Sequence, residues 1–207
     1  MTRLLLIRHG ETDYHLENKY CGFSNPSLNK NGIWQSEKSA AGLKGTKVDK
    51  VYSSDLKRAY ETAAIIFKGN TIEKTPVFRE MNFGIFEGLR YEEVVQRYPR
   101  LYGNWLDSPL KVKIPNGESL KDLSKRIREK LFLIFSEHKG KVIAVVTHGG
   151  PIRVVLCDAL RYSLKDFWKV EQGIAAYNIV EYSEKLRPRV VKMNDTSYLS
   201  IKEEITL

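Results

Sequence analysis

Three short segments combine residues able to bind and attack an anion: Arg8-His9-Gly10-Glu11-Thr12, Ser53-Ser54-Asp55 followed by Arg58, and Thr147-His148-Gly149-Gly150. Imidazole supplies a nucleophile or proton carrier near neutral pH, and guanidinium supplies a rigid fork of donors matched to phosphate or carboxylate oxygens. Two histidines and two arginines gathered in one place form a dense positive cluster that calls for an anionic ligand, and phosphate is its natural occupant. The reading holds only if the three segments meet, so the elements that carry them matter.

Each segment follows a strand-like run. Arg3 to Arg8 is rich in Leu and Ile and stops at His9-Gly10, Lys50-Val51-Tyr52 precedes the second segment, and Val142 to Val146 precedes the third. Ser53-Ser54-Asp55 reads as an N-cap cluster for a helix from Leu56 to Lys68 closed by Gly69, and Pro151 reads as a helix N1 residue. Ile33, Ser36, Ala40 and Leu43 recur at helical spacing, with Gly45 as a stop. Thr71 to Phe78 suggests a further strand, and short helices over Tyr91–Tyr98 and Leu101–Leu106 flank Pro99. From Ser119, the positions Leu120, Leu123, Ile127, Leu131, Ile134 and Phe135 step by three or four, which predicts a long amphipathic helix ending before Gly140. Ala175 to Tyr182 and Arg189 to Met193 read as late strands, with a polar tail beyond Asn194.

This alternation predicts an α/β fold, a three-layer α/β/α sandwich with a mostly parallel central sheet. It spans residues 1–207 as one domain, with a small helical cap over roughly 80–118. Ligands of such sheets sit beyond the carboxyl ends of the strands, where helix N-termini offer backbone N–H groups. All three segments fall there.

The chain has 207 residues, 42% hydrophobic and 29% charged, which excludes a disordered or fibrous protein. Its longest apolar runs are far short of the roughly 20 residues of a membrane span, and no leader pattern precedes Arg3, so a cytoplasmic location and no membrane partner are expected. Cys21 and Cys157 match neither a disulfide framework nor a CxxC spacing. The excess of 34 Lys and Arg over 25 Asp and Glu favours acidic ligands, yet the basic residues are scattered and carry no nucleic-acid signature.

Leu6-Ile7-Arg8-His9-Gly10-Glu11-Thr12 resembles the RHG signature of the histidine phosphatase (phosphoglycerate mutase-like) superfamily. Tyr52 to Ala59 with Glu61-Thr62-Ala63 is similar to that family's second arginine block, Arg79 to Gly84 with Glu87-Gly88 to its acid loop, and Thr147 to Gly150 with Arg153 to its second histidine block. The resemblance implies a metal-independent, cofactor-free phosphomonoesterase acting on a small phosphate ester through a phosphohistidine. His9 matches the nucleophile, Arg8, Arg58 and His148 the phosphate clamp, and Glu80 the acid/base, with Glu11 and Glu87 as other carboxylates within reach of that role. Thr12, His15, Cys21, Gly22 and Gly149 are the implied substrate contacts, and a homodimer is an open expectation. Neighbouring cations should depress the His9 pKa and keep an attacking lone pair free.

Asn104-Trp105-Leu106-Asp107-Ser108-Pro109 with Pro115-Asn116-Gly117-Glu118-Ser119 is similar to α-ribazole phosphatases, which makes α-ribazole phosphate a candidate substrate. The alternatives are a phosphoglycerate mutase, disfavoured by the short segment after Glu80, and a phosphate-binding module without turnover. Leaving-group selection is expected from Tyr14, Tyr20, Phe23, Phe83, Tyr91 and Trp105. Trp34, Trp105 and Trp168 are expected to pack in core or cap, and the Lys-rich helix around Lys121 to Lys130 to be a solvated face. His15 stands where family members often carry Asn, and protonation of its ring should strengthen substrate affinity at mildly acid pH, with a midpoint that the nearby arginines shift downward. A zinc site from His9, His15 and Cys21 has no supporting spacing.

Overall fold

A computed structural model describes residues 1–200 and shows a six-stranded mixed sheet with helices on both faces. The strands are β1 (Thr2–Arg8), β2 (Lys50–Ser54), β3 (Ile72–Thr75), β4 (Val142–Thr147), β5 (Tyr177–Tyr182) and β6 (Pro188–Asp195), in the order β3-β2-β4-β1-β5-β6. β1, β2, β3 and β4 run parallel, and β5 and β6 add an antiparallel edge beside β1. The helices are α1 (Asp13–Leu16), α2 (Lys30–Gly42), α3 (Lys57–Ile66), α4 (Tyr91–Arg97), α5 (Pro99–Asp107), α6 (Leu120–Glu137) and α7 (Gly149–Leu160).

β1 alternates its burial between two cores, as a central strand must. Leu4 and Leu6 face Leu123, Ile127, Ile134 and Ile152 from α6 and α7, whereas Leu5 and Ile7 face Ala59, Ala63 and Leu43 from α3 and the end of α2. Each fully buried Leu or Ile contributes about 1.5–3 kcal/mol, so both helical layers are held to the sheet by this two-sided pattern. β1 pairs with β4 in the register Arg3↔Val142 to Arg8↔Thr147, which sets His9 and His148 side by side at the carboxyl edge. The His9 amide donates to the Thr147 carbonyl (3.0 Å) and extends the ladder one residue further.

Several local expectations are corrected. Ser53 and Ser54 belong to β2, and α3 starts at Lys57 with Leu56 as its N-cap, because parallel pairing with β3 and β4 carries the strand to its last serine. Ser54 Oγ still accepts the Leu56 amide (3.3 Å), while Asp55 is taken by Arg79 in a two-bond ion pair. The run Thr71 to Phe78 is a strand only over β3, since Pro76 has no N–H for a ladder and opens a 3-10 turn capped by Thr75. Pro151 is the third residue of α7, after His148 as N-cap, still within the turn whose amides need no intrahelical acceptor. Beyond Asn194 the chain is not merely polar: residues 197–200 form a 3-10 turn that buries Tyr198 against Tyr177, at 5.8 Å between ring centroids. The remainder of that tail, 201–207, lies outside the described residues. Trp34 is 41% exposed on α2 and packs in neither core, while Trp105 is buried in the segment after Glu80 and meets Trp168 edge-on at 5.0 Å.

Candidate active site

His9 leaves β1 at its carboxyl end and is 4% exposed. Its Nδ1 lies 2.7 Å from the Gly10 carbonyl, which can only accept, so the ring carries its proton on Nδ1 and presents the lone pair at Nε2. Burial first, then the charges of Arg58 and His148, hold its pKa well below the ordinary histidine range. The imidazole is therefore neutral at physiological pH, the protonation state a nucleophile needs.

Arg58, on the first turn of α3, is fully buried at the Nε2 edge of this ring. Its Nε–H donates to His9 Nε2 (3.2 Å), and its terminal nitrogens donate to the carbonyls of Ser24 (2.6 Å), Cys21 (3.1 Å) and Gly22 (2.8 Å). The loop bearing those carbonyls is held in turn by Glu87, whose oxygens accept the amides of Gly22, Phe23, Ser24 and Phe83 and the Ser24 hydroxyl. Glu87 is thus committed to architecture, which removes it from the candidate acids. Gly22 is dictated by space: a Cβ there would lie 2.1 Å from the Met81 carbonyl oxygen.

His148, at the N-terminus of α7, packs its ring against His9 at 4.9 Å between centroids. Its Nε2 lies 2.9 Å from Ser54 Oγ, and its buried Nδ1 has no partner. Burial, then Arg58 and Arg8, keep it neutral too. Arg8 donates one terminal N–H to the Gln172 carbonyl (2.6 Å), and its buried Nε is also without a partner. Unpaired buried polar atoms cost free energy; a phosphate oxygen would satisfy the Arg8 Nε–H, and His148 Nδ1 as well in the tautomer that carries its proton there.

His15 Nδ1 accepts the Thr12 amide (3.0 Å), so the neutral ring carries its proton on Nε2, which faces Arg8 Nη2 at 3.3 Å. Two donors then point at one another, an arrangement that an anionic oxygen placed between them would relieve. Burial and then Arg8 push His15 down to about 4. The expected protonation at mildly acid pH is corrected accordingly: the ring offers one N–H and no charge.

Glu80 follows β3 and its 3-10 turn; both of its carboxylate oxygens accept the Gly150 amide (3.1 and 3.0 Å), and Oε1 accepts that of Met81 (2.8 Å). A Cβ at Gly150 would come within 2.1 Å of Glu80 Oε1, so only glycine allows this approach. Arg126 of α6 donates to the carbonyls of Val77, Arg79 and Glu80 and pairs with Glu118, which itself accepts the Asn82 amide. Lys121, Lys125 and Arg128 are exposed, as expected of a solvated face; Arg126 is the exception, turning inward to clamp the acid loop. An isolated basic residue on a polar helix face gives no sequence signal of such a role.

Arg8, His9, His15, Cys21, Glu80 and Gly149 line one cavity of about 380 Å³. Arg58 and His148 are fully buried and touch the His9 ring without lining the cavity, Arg58 at Nε2, and Thr12 and Gly22 contribute backbone groups that hold His15 and Arg58. Of the residues expected to select the leaving group, Tyr20, Phe83, Tyr91 and Trp105 line this cavity, and Tyr14 and Phe23 do not. Lys19, Tyr102, Leu106, Arg153 and Trp168 also line it. A larger apolar cavity of about 590 Å³ lies at the opposite end of β1, around Met1, Phe135 and Leu186, and contains none of the three segments. Among the described residues no group of three or more His, Cys, Asp or Glu is placed to hold a metal ion, and burial pushes the Cys21 thiol up to about 11. Among them, too, no helix is long and apolar enough to cross a membrane.

A neutral buried imidazole ringed by guanidinium groups, at the carboxyl edge of a mixed α/β sheet, defines the class of phosphoryl-transfer proteins. The chain belongs to the histidine phosphatase superfamily, branch 1, whose pattern matches residues 4–196. It is 32% identical over 201 residues to phosphoserine phosphatase 1 of Hydrogenobacter thermophilus, covering 96% of this chain and 95% of that protein. The fold superposes on the phosphoserine-bound mutant of the Entamoeba histolytica phosphoserine phosphatase with a TM-score of 0.87 and 28% identity, over 96% and 100% of the two chains. It superposes on the α-ribazole phosphatase of Shigella flexneri with a TM-score of 0.85 and 25% identity, over 94% and 96%.

Proposed function

We propose that the protein hydrolyses a small phosphate monoester without a metal, passing the phosphoryl group through His9 Nε2. The observation that carries this reading is the 2.7 Å approach of His9 Nδ1 to the Gly10 carbonyl, an acceptor that assigns the ring proton to Nδ1 and leaves Nε2, aimed at Arg58, as the attacking atom. On binding, the phosphate takes over the Arg58 Nε–H, freeing the lone pair for in-line attack. Arg8, Arg58, His15 and His148 then face the equatorial oxygens, where transition-state charge is spread. Glu80 gives its proton to the leaving oxygen and afterwards takes one from the attacking water, work worth about 10²–10⁴ in rate. The segment 80–118 closes the leaving-group side.

Enzyme incubated with a labelled ester and quenched in alkaline detergent should carry alkali-stable, acid-labile phosphate, and His9→Ala should carry none; undiminished label in the variant overturns the assignment. Turnover should persist in chelator. The mutase alternative predicts phosphate recovered on a second hydroxyl, whereas this reading predicts recovery in water.

A further inference from the structure

Arg153 sits one turn after Gly149 on α7 and lines the same cavity as His9, on the side of Tyr91, Trp105 and Trp168. Its Nε–H donates to the Val170 carbonyl (2.8 Å), and its guanidinium carbon lies 5.7 Å from the Phe167 ring centroid. One edge of the fork is therefore locked, and the terminal nitrogens are aimed back at the catalytic loop: a Cβ built on Gly149 would lie 3.2 Å from Arg153 Nη1 and 3.7 Å from Arg8 Nε. Arg153 makes no ion pair among the described residues. The facing carboxylate, Glu80, is engaged by the Gly150 and Met81 amides and stands beyond ion-pair reach. Lys19, the other cation of this cavity besides the arginines, is already paired with Glu17.

Arg153 is partly buried, held in one orientation and without an anion, so its terminal N–H groups stand ready to take one. The phosphate already has Arg8 and Arg58. We infer that Arg153 forms a second anion subsite that takes a carboxylate on the leaving group, so that the preferred esters carry a carboxylate close to the phosphorylated oxygen. A carboxylate fits better than a second phosphate, because only the end-on face of a single fork is offered, which matches two coplanar oxygens. The inference rests on the phosphatase reading and names its substrate class.

Two matched pairs test it: O-phospho-L-serine against O-phosphoethanolamine, and 3-phosphoglycerate against glycerol 3-phosphate. The members of each pair differ chiefly by the carboxylate. Wild type should favour the carboxylated member at least tenfold in kcat/KM, the discrimination expected when a buried charge is paired or left unpaired. Arg153→Gln should lose at least tenfold more on that member than on its partner, and Arg153→Lys should fall between. Equal losses on both members, or a wild type without preference, overturn the inference. Should wild type turn over no ester, the phosphatase reading falls, and the affinities of the same pairs, measured by calorimetry, still decide the subsite.

Discussion

Arg58 donates its Nε–H to His9 Nε2 across 3.2 Å while its other donors hold the carbonyls of Ser24, Cys21 and Gly22. One buried side chain thus occupies the attacking lone pair in the resting site, depresses the basicity of the ring and shapes the wall of the cavity. Arg58→Gln should lower kcat/KM by about 10²–10³, the usual cost of one preorganised charge donor. Because Arg58 holds the His9 pKa down, its removal should also move the acid limb of the pH–rate profile upward, toward neutrality. An acid limb that does not move would separate phosphate binding from control of His9.

Glu80→Gln should discriminate among leaving groups. An alkoxide needs a proton and p-nitrophenolate hardly does, so losses on alkyl phosphates should approach the full 10²–10⁴ while p-nitrophenyl phosphate suffers much less. Equal losses on both would take the acid role from Glu80; Glu11 does not line the cavity and its Oε1 accepts the Asn29 side-chain amide, while Glu87 is consumed in holding the loop at Gly22 to Ser24.

Arg126→Met should reproduce that leaving-group pattern in weaker form, about tenfold on alkyl phosphates, because it loosens the backbone from Val77 to Glu80 rather than removing the carboxyl. It should also cost about 1–3 kcal/mol of stability in denaturant melts, as Glu118 and three carbonyls lose their partner. A stability loss with uniform kinetics would make Arg126 a purely structural clamp.

Acid should destabilise the protein through its buried histidines. His9, His15 and His148 all have pKa values lowered in the fold, His15 to about 4, so below the unfolded value of ~6.5 the unfolded chain binds more protons than the native one. Stability is full above that pH and falls on descending from it, by up to about 1.4 kcal/mol per pH unit for each histidine. His15→Asn should flatten part of this slope in melts between neutral pH and the mid-acid range. The same variant should leave KM against pH unchanged across the neutral range, because the ring it replaces is already neutral there. A KM component that disappears on substitution would show instead that His15 titrates near its ordinary value.

Much of the site is legible along the chain because its parts are local. The apolar runs of β1 and β4 and the polar triplets that follow them place His9 and His148 at one edge before any pairing is known, and Ser119 announces α6 by capping it at Asp122. What the sequence hides is tertiary. Nothing near Arg126 marks it as the clamp of a loop almost fifty residues earlier, and the polar composition after Asn194 conceals the burial of Tyr198 against β5. The end of β2 runs through serines that read locally as a cap, and sheet pairing overrides that preference. The neutrality of His15 at mildly acid pH follows from its burial beside Arg8, and neither is visible from its spacing to His9.

The carboxylate of Glu87 ties the loop under Arg58 to the segment that roofs the cavity, and the antiparallel backbone β-bridge of Lys19 and Arg90, with the Tyr20–Leu89 and Tyr91–Asn18 backbone hydrogen bonds, adds a second seam between the same two stretches. The roof therefore cannot lift alone: opening it breaks the wall that the proposed phosphate site shares. In amide hydrogen exchange, Gly22, Phe23 and Ser24 should share one opening free energy with Phe83 and Tyr91, behaving as a single cooperative unit. Product would then leave through the mouth of a standing cavity, and the lifetime of the enzyme–phosphate complex would be set by its ionic contacts rather than by a hinge.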